Sequence, residues 1–207
     1  MDVALARSWI AAIAAAVAEQ ADYLTQLDSA IGDADHGVNL NRGFTAVAAA
    51  LSSAAEPAAV GDVFVKTGTT LVSKVGGAAG PLYGTAFRAI GKALPAGSST
   101  VDAAELGVAL RAGLAAVQKL GAAVPGDKTI VDAYGPAVAA FEKAAEEGLA
   151  VAARAAAEAA AEGMRATIEM VARKGRASYL GPRSVGHQDP GATSTWLVFQ
   201  ALADVTR

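Results

Sequence analysis

The sequence predicts an all-α protein built as an up-and-down array of eight antiparallel helices, and three observations carry that expectation. Apolar residues recur at three- and four-residue spacings along nearly the whole chain, which marks one buried helix face after another. Most links between these runs are short and rich in glycine and proline, and short links between long helices make neighbours antiparallel. No convincing pair of strands is found. Aromatic residues are only 5% while alanine is abundant, so the helices are expected to pack closely through small side chains.

The first helix is expected over residues 3–27, with Ile10, Ile13, Ala14, Val17, Ala21, Leu24 and Leu27 on one face. The second, over residues 38–52, turns Phe44, Val47 and Leu51 inward and is separated from the third by Glu56-Pro57. The third, over residues 60–75, carries Val63, Val65, Leu71 and Val72. Gly76-Gly77-Ala78-Ala79-Gly80-Pro81 is a tight glycine loop that places Pro81 at the first position of a fourth helix, which runs to Leu94. A fifth helix starts around Thr100, with Glu105 in its first turn, and ends near Gly121. After the turn Val124-Pro125-Gly126-Asp127-Lys128-Thr129, a sixth runs to Glu147. The seventh, over residues 149–174, is rich in alanine, a strong helix former, and Ile168, Met170 and Val171 extend its core face. A long polar connection over residues 175–189 leads to the eighth, from Pro190 to the C-terminal end through Trp196, Leu197, Phe199 and Leu202. There is no simple internal repeat, and residues 1–207 are read as one domain.

Composition excludes several classes of function. A net charge of −3 argues against nucleic acid as a main partner, and zero cysteines exclude disulfides, thiolate metal sites and cysteine nucleophiles. The N-terminus has no basic region of a signal peptide, and charges interrupt every apolar run. No membrane partner is expected, and the protein is read as cytoplasmic.

The chemistry concentrates between the first two helices. Asp28-Ser29-Ala30-Ile31-Gly32-Asp33-Ala34-Asp35-His36-Gly37-Val38-Asn39 holds three carboxylates, a histidine and an asparagine. Clustered carboxylates suit a hard divalent cation such as Mg²⁺, whose shell is completed by water and substrate phosphates. Asp28 sits near a helix end and Gly32 lets the chain turn. A locally extended turn would point Asp33 and Asp35 the same way, and Asp35 could also cap the following helix. A solvated loop with an N-capping aspartate carries about the same weight from this stretch alone.

Counting connections in an up-and-down array shifts the balance. The acidic stretch, the Gly76 loop, the Gly126-Asp127-Lys128-Thr129 turn and the connection holding Arg176, Arg183, His187 and Asp189 all fall at the same end. Singly, Gly76-Gly77 is more readily a helix C-cap, the Lys128 turn an ordinary turn, and His36 or His187 a structural histidine. Together they suggest a nucleotide-phosphate site, with carboxylates for Mg²⁺, glycine loops presenting amides, and Arg176 or Lys128 balancing charge during phosphoryl transfer. The pattern GxxxxGK[ST] is absent.

Five stretches make a specific resemblance. They are Ile31-Gly32-Asp33-Ala34-Asp35-His36-Gly37, Val75-Gly76-Gly77-Ala78-Ala79-Gly80-Pro81-Leu82, Pro125-Gly126-Asp127-Lys128-Thr129, Arg173-Lys174-Gly175-Arg176-Ala177-Ser178-Tyr179-Leu180-Gly181 and Gly186-His187-Gln188-Asp189-Pro190-Gly191-Ala192. With them the chain resembles the nucleotide-binding L subunits of bacterial dihydroxyacetone kinases, also found as the C-terminal domain of single-chain kinases. The resemblance implies an eight-helix antiparallel barrel with ADP or ATP at one rim. It implies that Asp28, Asp33 and Asp35 coordinate two Mg²⁺ ions and act with Arg176 in catalysis. It places His36, Gly37, Val38 and Asn39 beside the phosphates, and Ala78, Ala79, Gly121 and Ile130 along the nucleotide. Arg176 and Asp189-Pro190-Gly191 would close over it, and the length of the 175–191 connection by itself suggests a lid. The family usually has serine where this chain has Ala79, so one hydroxyl contact is lost.

By the same resemblance, dihydroxyacetone is held by a separate K subunit, and a phosphotransferase-system M subunit rephosphorylates the bound ADP. No K domain is attached within 207 residues, which fits a free-standing subunit. Three alternatives stay open: an ATP-dependent stand-alone subunit for another small ketose such as erythrulose, the related nucleotide domain of fatty acid kinases, and a module that reports nucleotide state to a transcription regulator. The intact acidic pair and its histidine weigh against the last two.

Overall fold

A computed structural model describes residues 1–53 and 57–207. Nine α-helices are found among them: α1 Val3–Glu19, α2 Ala21–Ile31, α3 His36–Ser53, α4 Val60–Lys74, α5 Ala79–Ala93, α6 Ala103–Gly121, α7 Ile130–Ala144, α8 Leu149–Ala166 and α9 Pro190–Val205. The only extended pairing among the described residues is an isolated bridge between Asp2 and Thr100. Each helix packs on the next and α9 packs back on α1, so the array closes into the antiparallel barrel. The α1–α9 seam is tied by the Trp9 indole, which donates to the Val198 carbonyl at 2.9 Å. Inside, Trp9, Phe44, Phe64 and Phe87 form an aromatic cluster with mostly edge-to-face contacts.

The eight expected helices are all present, and the first is broken in two. α1 and α2 meet at Gln20 with a 63° bend. No glycine or proline marks the bend, and a tertiary contact falls at the same place. Gly37 of α3 lies so close to the start of α2 that a Cβ there would sit 1.9 Å from the Ala21 carbonyl oxygen. The bend therefore occurs where α3 presses on the first residue of α2. Among the described residues no single helix is long and apolar enough to cross a membrane, and the apolar face of α1 (Trp9, Ile10, Ile13, Val17) is spent on the core.

Small residues set the other close approaches. A Cβ at Gly68 would lie 2.4 Å from the Gly84 carbonyl oxygen, and one at Gly91 would lie 2.4 Å from that of Gly61. α4 and α5 thus touch backbone to backbone at two places seven residues apart. In α7, Pro136 has no N–H for the Asp132 carbonyl, and Gly163 of α8 packs directly against that oxygen.

Helix boundaries differ from expectation in three places. The predicted seventh helix ends at Ala166, followed by one 3₁₀ turn, Thr167–Glu169, rather than at Lys174. There Thr167 Oγ1 donates to the Met164 carbonyl and accepts the Asp189 amide, which turns the chain toward α9. Pro81 is the third residue of α5, not the first, a position whose N–H would have no helical partner either. α6 starts one turn later than Thr100, at a capping box formed by Asp102 and Glu105. The expected break at Glu56-Pro57 falls partly on residues 54–56, outside the described residues.

Candidate functional site

The α2–α3, α4–α5, α6–α7 and α8–α9 connections meet at one end of the barrel around a cavity of about 560 Å³. That volume lies within the usual range for small-ligand pockets.

One wall is acidic. Asp28, buried in the last turn of α2, accepts the amides of Asp35 at 2.8 Å and His36 at 3.1 Å through Oδ2. The carboxylate that caps α3 is therefore that of Asp28, and not that of Asp35 as the sequence allowed. A Cβ at Gly32 would sit 2.0 Å from Asp28 Oδ1, so only glycine leaves room for this carboxylate. Asp33 and Asp35 are not on an extended segment: Ala34 between them has φ 61°, a left-handed conformation unusual for alanine. The result is a convergence of carboxylate oxygens from Asp28, Asp33 and Asp35 within 4.8 Å of one another. An all-oxygen donor set of this kind fits Mg²⁺ or a similar hard cation. The Asp35 carboxylate makes no hydrogen bond to the described residues and faces the glycine loop, where a Cβ at Gly77 would be 3.7 Å from it.

The glycine loop is the facing wall. Gly77 has φ 65°, and α5 begins behind it with Ala78 at its N-cap and no side chain capping its amides. Those first N–H groups have no helical acceptor, which suits an anion. Leu82, Val117, Ala123 and Ile130 give the cavity an apolar part, bordered by Gly121.

His36 is held from behind by hydroxyls. Its Nε2 lies 2.9 Å from Ser194 Oγ, which lies 2.7 Å from the Tyr83 hydroxyl. Thr195 Oγ1 is 3.0 Å from the same hydroxyl and donates to the Gly191 carbonyl at 2.8 Å. Burial pushes the pKa of His36 down and that of Tyr83 well up, against the weaker pull of Asp28 and Asp35 on the histidine.

Of the expected site residues, Asp28, Asp33, Asp35, His36, Ala78, Ala79, Gly121, Ile130, Arg176, Asp189, Pro190 and Gly191 line this cavity together. Gly37, Val38 and Asn39 do not. Gly37 is packed on Ala21 and Val38 is exposed on the outside of α3. Asn39 lies under the glycine loop, its Oδ1 accepting from Arg42 Nη2 at 2.8 Å while Arg42 Nε reaches the Lys74 carbonyl. Arg176 leans across the mouth to Asp33, 3.0 Å away, with both side chains largely exposed.

Lys128 differs most from expectation. Considered as a charge partner for phosphoryl transfer, it does line the cavity, but its ammonium donates to the carbonyls of Met170, Ser184 and His187. The sequence also gave no sign of the roles of Tyr83, Ser194 and Arg42.

Asp189 caps α9, accepting the Ala192 amide at 2.7 Å. Burial raises its pKa from 3.8 to about 7, with Asp132 and Asp28 adding repulsion and the Ala192 amide and Lys128 opposing. A folded-state pKa above the unfolded value means the folded chain holds the proton longer, so this group's contribution to stability falls as pH rises from about 4 to about 7. Asp189→Asn keeps an N-cap acceptor without the charge. Its melting temperature, measured without added metal or nucleotide, should gain on the parent between pH 4 and 7; a constant difference would contradict the shift.

A family model described as "DAK2 domain" matches residues 30–204. The ADP-binding subunit DhaL of the PEP-dependent dihydroxyacetone kinase of Escherichia coli (strain K12) is 45% identical over 198 residues, 95% of this chain and 93% of that protein. The corresponding DhaL of kinase 1 of Listeria innocua is 44% identical over 194 residues, 94% of this chain and 92% of that protein. The dihydroxyacetone kinase of C. freundii, solved in complex with AMP-PNP and Mg²⁺, superposes with a TM-score of 0.77 at 28% identity. That match covers 97% of this chain and 34% of the other, so this chain spans about a third of that kinase.

Proposed function

The chain belongs to the DAK2 domain family, and from that premise we propose that it is the ADP-binding, phosphoryl-transferring subunit of a dihydroxyacetone kinase. The observation that carries this reading is the convergence of three carboxylates opposite a glycine loop and the uncapped start of α5. Asp28, Asp33 and Asp35 would hold Mg²⁺, two ions in the full reading, and the metal supplies charge neutralisation for the nucleotide phosphates. The chain's own residues do the rest. The amides of Ala78 and Ala79 offer donors to phosphate oxygens, and Leu82, Val117, Ala123 and Ile130 offer an apolar bed for the base. His36, whose pKa burial lowers, is oriented by Ser194 beside the phosphates. Arg176 is within reach to exchange Asp33 for a phosphate oxygen.

Residues 1–207 act in this reading as one cytoplasmic L domain that works with a separate K subunit holding the ketose. Bound ADP is rephosphorylated in place by a phosphotransferase M subunit. The relatives matched nearly end to end carry the name of an ADP-binding subunit of a PEP-dependent kinase, which supports this donor over free ATP.

The test is product formation from dihydroxyacetone. The chain with ATP and Mg²⁺ alone is expected to be inactive, and adding a K subunit should allow a single turnover from bound ATP. Multiple turnovers should need the M subunit and its phosphotransferase donor. Efficient turnover by this chain alone would overturn the subunit reading; sustained turnover on free ATP with K alone would overturn the phosphotransferase donor.

A further inference from the structure

Among the described residues Lys128 is the one buried lysine or arginine, with 1% of its surface exposed. Its ammonium donates to the carbonyl oxygens of Ser184 at 2.6 Å, His187 at 2.6 Å and Met170 at 3.2 Å. That uses all three donors of an ammonium. None of the described carboxylates is within ion-pair distance; Asp189 and Glu169 act on it from farther away. The adjoining residue takes hold of the same loop, since the Asp127 carbonyl accepts the Arg173 amide at 3.0 Å while the Asp127 carboxylate closes the turn on the Val124 amide. The turn itself is fixed by Asp132, whose carboxylate accepts the amides of Gly126 and Thr129.

These contacts have a pattern. The loop between α8 and α9 is gripped at 170 and 173 on its way out and at 184 and 187 on its way back. Ser184 Oγ ties the two sides together, accepting the Ala172 amide at 2.8 Å and donating to the Gly181 carbonyl at 2.7 Å. The segment enclosed by this neck begins with Gly175 at φ 66° and carries Arg176 to the acidic wall. Three carbonyl dipoles converge on one point in the neck, and only a cation with three donors satisfies them together.

We propose that Lys128 is a positioning residue: its ammonium, at the junction of the Met170, Ser184 and His187 carbonyls, holds the loop that sets Arg176 over the carboxylate cluster. The inference rests on the nucleotide-binding reading for the purpose that Arg176 serves, and on geometry alone for the clamp. Without the ammonium the carbonyls repel one another and the neck opens, so Arg176 loses its place even though its side chain is unchanged.

The experiment is a double-mutant cycle on ADP·Mg²⁺ affinity, with Lys128→Met, Arg176→Ala and both together, accompanied by amide hydrogen exchange without nucleotide. Exchange in residues 171–187 should accelerate in Lys128→Met while α4 and α5 keep their protection. Arg176→Ala should weaken ADP·Mg²⁺ binding about tenfold or more in the parent chain, and less than about twofold on the Lys128→Met background. The same factor on both backgrounds, or unchanged exchange in 171–187, overturns the proposal, even if Lys128→Met melts at a lower temperature. Absence of ADP·Mg²⁺ binding by the parent chain would overturn the nucleotide reading instead, and hydrogen exchange would still judge the clamp. Should Lys128→Met not fold, Lys128→Gln, which can serve only two of the three carbonyls, is read by hydrogen exchange alone: faster exchange in 171–187 supports the clamp, and exchange as slow as the parent's overturns it.

Discussion

Asp33→Asn and Asp35→Asn are each expected to lower the rate of phosphoryl transfer by about 10²-fold or more in the reconstituted kinase, and to release ADP more readily, with helix content unchanged. The reasoning separates the three carboxylates by what else they do. Asp35 makes no hydrogen bond to the described residues, and Asp33 has only its exposed pair with Arg176. Exposed pairs of this kind contribute little to folding. Neither carboxylate is therefore kept in place by stability. Asp28 has a structural task as well, since it is buried and caps the start of α3. Losing it to alanine would remove an acceptor for two amides and affect folding and binding together. The two asparagine variants are thus the clean probes. Circular dichroism, ADP retention as a function of Mg²⁺ and single-turnover rates with a K subunit decide the matter. Full activity in both variants at ordinary Mg²⁺ would remove the assignment of this cluster.

Much of this molecule is visible in the order of its residues, and the parts that are not share a physical cause. The eight helical runs and the shared end of four loops follow from local quantities: apolar spacing, caps and link lengths. The acidic stretch stands out because three carboxylates cannot sit together without water or a cation. The bend at Gln20 has no local signal, and it coincides with a contact from a different helix, Gly37 of α3 against Ala21. The end of α8 was misplaced because the propensity of an alanine-rich run says nothing about Thr167, whose hydroxyl serves the Met164 carbonyl and the Asp189 amide. Ala34 in a left-handed conformation has no local signature, since the strain is borne by the hydrogen bonds that the next two amides, of Asp35 and His36, donate to the Asp28 carboxylate. A lysine in a turn suggests solvent or a ligand, and only the converging carbonyls of a loop more than 40 residues away reveal that Lys128 is buried. The hydroxyls behind His36 come from α5 and α9, separated by 111 residues between Tyr83 and Ser194, so no spacing rule connects them.

Gly37→Ala is expected to destabilise the chain by about 3 kcal/mol and to weaken ADP·Mg²⁺ binding at the same time. A new Cβ would sit 1.9 Å from the Ala21 carbonyl oxygen and 2.6 Å from Thr25 Oγ1. Thr25 could turn aside, although its hydroxyl donates to that same Ala21 carbonyl at 2.9 Å. The carbonyl is backbone in the first turn of α2 and cannot turn aside. Either α2 and α3 separate or α2 tilts at Gln20. Both movements displace Asp28 on α2 relative to the amides of Asp35 and His36, which it holds at 2.8 and 3.1 Å. The carboxylate cluster is thereby loosened by a residue that does not face the cavity. The sign of the effect is the test. In a helix without this contact, glycine to alanine stabilises by up to about 1 kcal/mol, because alanine loses less backbone entropy on folding. Denaturant midpoints of the parent and the variant, measured with and without ADP·Mg²⁺, separate the cases. A variant as stable as the parent or more so would mean that α3 does not press on α2 at this point, and that the bend at Gln20 and the placement of Asp28 have another origin. A variant that is less stable yet binds ADP·Mg²⁺ with the parent's affinity would uncouple the helix crossing from the site. Loss of both together is the outcome that the contact between Gly37 and Ala21 requires.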